Sequence, residues 1–167
     1  MRAFADFVDA LNERIGRLVS WLALAMALSV MAIVVMRYVF GVGFVWLQEA
    51  VVYQHATLFL LAGGYALVHD AHVRVDLWYG DASPRARAAI NLAGTFVFLL
   101  PLTGAIMWYG WPYVARSWAV LERSNETSGI PAVFLLKTLM LAFAALLALQ
   151  GLSLAARALL RLAEPGR

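Results

Sequence analysis

The sequence predicts an all-α integral membrane protein, with four transmembrane helices preceded by a short amphipathic interfacial helix, in a single membrane domain spanning 1–167. Three observations predict it. Hydrophobic residues make up 63% of the chain and charged residues only 14%, and the mean hydropathy is +0.78, a balance foreign to water-soluble domains. Four charge-poor runs are long enough to cross a bilayer. Basic residues gather at alternate ends of those runs.

The amphipathic helix is placed at about 3–16, because Phe4, Phe7, Val8, Leu11, Ile15 and Leu18 recur at helical spacing while Asp6, Asp9, Glu13 and Arg14 fall largely on the other face. It is expected to lie on the membrane surface as an anchor or as a docking element. Leu18 to Met36 carries no charge and measures about 28 Å as a helix, so the first crossing is placed at 18–40. The run is too long for a signal-peptide core, and the cleavage-like Ala23-Leu24-Ala25 lies inside it, so the segment reads as retained. The second crossing is placed at 46–68. Asp81-Ala82-Ser83-Pro84 then reads as a stop and restart, with Ser83 capping and Pro84 in the first turn of a third helix at 84–115. Pro101 removes a backbone donor from that helix, which predicts a kink near Val97 with Thr95 or Thr103 able to bond the freed carbonyl. Trp108, Tyr109, Trp111, Tyr113 and Trp118 form an aromatic belt at its far end. After a polar loop, Glu122 to Gly129, Ile130-Pro131 opens the fourth crossing at 131–156, interrupted only by Lys137.

Orientation follows from the resistance of Lys and Arg to translocation. Arg2, Arg14 and Arg17 precede the first span, Arg74, Arg85 and Arg87 lie between the second and third, and Arg157, Arg161 and Arg167 follow the fourth. Both termini and the middle loop are therefore expected in the cytoplasm, with Arg37, Arg116 and Arg123 on the other side. The net charge of +3 is dispersed at helix ends, where it meets lipid head groups, and calls for no nucleic-acid partner. The chain has no cysteine, which excludes disulfides, Cys-based metal sites and thiol catalysis.

Polar groups within spans are costly to bury and mark where function lies. The second span carries most of them, on two faces: Glu49, Tyr53, Thr57, Leu60 and Gly64 on one, and Gln48, Val52, His55, Phe59 and Ala62 on another about 120° away. A second polar face points either to a water-filled path or, the favoured reading, to contact with another membrane protein. Glu49 and Lys137 lie at similar shallow depth, about 5 Å past Trp46 and about 9 Å past Pro131, and are expected either to pair across the bundle or to hold an interface. A coupling carboxylate at Glu49, in a small self-sufficient homo-oligomeric transporter, is the competing reading. A haem-bearing respiratory anchor needs facing buried histidines, whereas only His55 is deep and His69 and His72 lie at the cytoplasmic edge. No hydrolytic constellation and no phosphate-cradling Gly-Lys motif occurs. No enzyme activity, cofactor or metal site is expected.

The succession Arg37-Tyr38-Val39-Phe40, Trp46-x-x-Glu49, Gly63-Gly64-Tyr65-Ala66-Leu67, His72-Val73-Arg74-Val75-Asp76 and Gly129-Ile130-Pro131 resembles the small membrane subunit (DctQ type) of tripartite ATP-independent periplasmic (TRAP) transporters. The order and spacing of these segments carry the resemblance, which covers essentially the whole chain. Leu47 and the apolar turn Gly41-Val42-Gly43-Phe44 depart from the family pattern. The resemblance implies a bacterial inner-membrane protein that is a non-catalytic companion of a large multi-span permease subunit. It also implies a periplasmic substrate-binding protein that docks on the pair during ion-driven, usually sodium-coupled, uptake of organic acids. On that view Arg37, Trp46 and Glu49 serve partner contact, and His72, Arg74 and Asp76 pin the cytoplasmic end of the second span.

Overall fold

The computed structural model describes residues 1–71 and 82–163. The His72, Arg74 and Asp76 cluster lies outside the described residues. The described chain is all-helical, with four helices long and apolar enough to cross a membrane.

Helix α1 runs unbroken over Arg2–Tyr38. The expected surface helix is thus continuous with the first span. Its buried stripe is Ala5, Val8, Asn12, Gly16 and Val19, small or polar residues at three- and four-residue spacing, while Phe4, Phe7 and Leu18 are exposed. Small residues admit close backbone approach, and that contact, rather than the larger apolar side chains, sets which face packs. Helix α2, Val45–Val68, returns antiparallel along α1. Helix α3, Pro84–Gly94, starts as expected: the Ser83 hydroxyl accepts from the Ala86 N–H at 3.2 Å, and Pro84 occupies the first turn.

Between α3 and α4, Leu100–Ala119, the helix widens into a π turn over Thr95–Leu99, where the Leu100 N–H reaches the Thr95 carbonyl. The turn ends just before Pro101, so the proline effect expected near Val97 takes the form of a local widening. Thr103 donates to the Leu99 and Leu100 carbonyls at 2.9 and 3.1 Å, and Thr95 donates to Asn91 at 2.8 Å. A second internal proline, Pro112, lies in α4. Helix α5, Val133–Ala163, is the axis of the molecule, with α1, α2, α3 and α4 all packed on it.

Among the described residues, α4 packs on α5 and on neither α1 nor α2. The spans therefore form a three-helix unit, α1, α2 and α5, with α4 laid against a different side of α5. Two close approaches hold the unit together. A Cβ at Gly64 would lie 2.1 Å from the Asn12 side-chain oxygen, and one at Gly16 would lie 2.3 Å from the Tyr65 ring, so α1 and α2 meet at distances that only glycine allows.

Candidate functional site

At the end where α2 starts, the outer end on the expected orientation, the loop between α4 and α5 folds back over α2. Both carboxylate oxygens of Glu49 are engaged: one accepts from the Ser124 hydroxyl, the other from the Ile130 N–H at 2.5 Å. Ser124 is itself tied into the loop, its N–H donating to the Ile130 carbonyl at 3.3 Å and its hydroxyl accepting from the Glu126 N–H at 3.1 Å. Glu49 thus clasps the loop by charge-assisted bonds, the strong kind.

Lys137 has other partners. Its ammonium is 2.5 Å from Glu122 and 4.1 Å from the centre of the Tyr113 ring. Of the two readings for Glu49 and Lys137, pairing is not what the fold shows: the loop brings Glu122 to Lys137, and supplies Glu49 with a hydroxyl and a backbone donor instead. The hydrogen bond from Lys137 holds the Glu122 carboxyl below its usual range.

At the opposite end, the inner one on the same expectation, a second polar cluster joins α1 to α5. Asn12 donates to Gln150 at 2.8 Å, Gln150 donates to Asp9 at 2.8 Å, and Ser153 donates to the same Asp9 oxygen at 2.7 Å. Arg157 closes the cluster on Asp9 at 2.6 Å and Asp6 at 2.8 Å. Asn12, Gln150 and Ser153 are fully buried. Nearby, Glu13 bridges Arg17 and His69, at 2.8 and 2.7 Å. Sequence reasoning assigned Asp9 to the solvent face and singled out none of Asn12, Gln150 or Ser153. The available signal was their recurrence on otherwise small-residue stripes, Val8-Asn12-Gly16 in α1 and Gln150-Ser153-Arg157 in α5.

The remaining expected residues stand apart. Arg37 is exposed at the end of α1, and Trp46 is exposed with its ring 6.0 Å from that of Phe44. His55 is exposed and stacked on Phe59, ring centres 6.0 Å apart. His69 turns to Glu13 of α1 and lies some 21 Å from His55 along α2 at 1.5 Å per residue, so the two do not form a facing haem-ligand pair.

Four spanning helices whose ionisable groups tie helix to helix and loop to helix define a small multi-pass membrane protein. The family model of the DctQ component of tripartite ATP-independent periplasmic transporters matches residues 26–161, and the chain belongs to that family. It is a transporter component and not an enzyme. A C4-dicarboxylate TRAP transporter small permease protein DctQ from Vibrio cholerae serotype O1 (strain ATCC 39315 / El Tor Inaba N16961) is 30% identical over 132 residues, which cover 75% of this chain and 52% of that protein. The chain thus spans about half the length of the curated relative it matches.

Proposed function

We propose that this chain is the small permease subunit of a TRAP-type secondary transporter in the bacterial inner membrane, with both termini cytoplasmic. It acts as a non-catalytic scaffold that supports a large permease subunit and helps a periplasmic binding protein dock during ion-driven uptake of an organic acid. The relative's name, which specifies a C4-dicarboxylate transporter, supports that substrate class. The observation that carries the scaffold reading is the Glu49 clasp: the carboxylate at the outer end of α2 is committed on both oxygens to shaping the outer loop. A coupling carboxylate has to be free to exchange a proton or an ion, whereas this one builds a platform on the periplasmic face.

The test is uptake of a labelled dicarboxylate into proteoliposomes under a sodium gradient, comparing this chain alone, the large subunit with the binding protein, and all three. Uptake only with all three is expected. Uptake by this chain alone would overturn the scaffold reading and return Glu49 to a coupling role.

A further inference from the structure

Helix α2 leaves one stripe uncovered: Gln48, Val52, His55 and Phe59 are all exposed, Val52 at 55% and Phe59 at 72%. At 100° per residue the stripe lies roughly 50° round the helix from Gly63, which meets Phe143 and Leu147 of α5, and roughly 120° from the line of Gln54 and Tyr65, which meets α1 at Ser29 and Gly16. It therefore faces away from the α1–α2 contact. His55 is about 15 Å along the helix axis from Val45 and about 20 Å from Val68, near the middle of a span.

Acyl chains cannot satisfy an imidazole at that depth, since they offer neither donor nor acceptor, and the ring has one of each when neutral. Water is an equally poor occupant, because Val52 and Phe59 flank the ring with apolar surface. A surface that is apolar above and below and polar at one central point fits a second helix of the same description. By contrast, the exposed α4 face formed by Gly104, Met107, Trp108, Trp111 and Pro112 has no titratable group and suits lipid.

We propose that the Gln48-Val52-His55-Phe59 stripe is the face on which a transmembrane helix of the large permease subunit packs. That helix is apolar except for one hydrogen-bonding side chain level with His55. The proposal rests on the companion-subunit reading above and adds to it the face and the chemistry of the contact.

The test uses the complete complex in membranes, with a photo-crosslinking phenylalanine derivative placed at Val52 or, as the comparison site, at Trp108. Val52 is expected to crosslink to the large subunit, and Trp108 to lipid. In parallel, His55→Leu is expected to lower recovery of the large subunit about tenfold, the scale of one interhelical hydrogen bond in a membrane, while His55→Gln retains most of it. Crosslinking of Val52 to a second copy of this chain or to lipid alone overturns the proposal, as does wild-type recovery with His55→Leu. The three-component uptake measurement separates the two ideas: uptake that still needs this chain, with no Val52 crosslink, leaves the scaffold role standing and removes the face.

Discussion

The two ends of the molecule use polar side chains for different work. At the inner end, Asn12, Gln150, Asp9, Ser153 and Arg157 join one helix to another through a chain of bonds whose central members are fully buried. At the outer end, Glu49 and Lys137 reach a loop, and their partners Ser124 and Glu122 are only partly covered. A buried network is costly when one member is lost, because the others are left without partners in a low-dielectric interior. A loop clasp fails locally, since water replaces the lost bond. The inner end should therefore govern global stability, and the outer end should govern the shape of one loop.

The largest effect is expected from Gly64→Leu, which drives a side chain into Asn12 and so separates α1 from α2 and Asn12 from Gln150. A loss on the order of 3–5 kcal/mol combines overpacking with an orphaned amide, and it should appear as a large drop in the thermal midpoint of the detergent-solubilised protein. An unchanged midpoint would show that the inner contact is loose. Gln150→Leu comes next, at about 2 kcal/mol, because it strips a partner from both Asn12 and Asp9 without a steric clash.

Glu49→Gln should cost about 1 kcal/mol, since the amide keeps one acceptor for the loop and loses the charge. Its signature is faster amide exchange over 122–130 with little change in global melting. If it lowered melting as far as Gln150→Leu, the contrast between the two ends would collapse. The smallest effect is one of pH. The folded Glu122 carboxyl titrates below its free value because Lys137 donates to it, so its contribution is present above the ordinary carboxylate range and is lost as pH falls through the folded value. Partial exposure screens it. Loop exchange should rise modestly in acid, and Lys137→Met should weaken that dependence, since Lys137 is its main cause; an equal acid response in the variant would assign it to another group.

Much of this was legible beforehand for a local reason. Ser83-Pro84 announces a helix start because a cap and its proline act within one turn, and Pro101 announces a defect because its missing donor acts within the same helix. Hydrophobic periodicity in 3–16 marked Phe4, Phe7 and Val8. Packing buries Val8 together with Ala5, Asn12 and Gly16, which the periodicity did not mark, because the close approach of α2 and α5 favours small side chains, and Phe4 and Phe7 stay exposed. Similar depth allowed a Glu49–Lys137 pair, yet depth along a helix says nothing about which way the loop 120–132 folds back.

By itself the sequence determined the number of helices able to span a membrane and the family, since run length, charge and motif order are properties of contiguous residues. Only the tertiary structure decided that α4 packs on α5 alone, that Asn12 meets Gln150, and that Glu49 holds the outer loop. Each of those depends on contacts between residues more than 70 positions apart, or on a helix face that many packings could have buried.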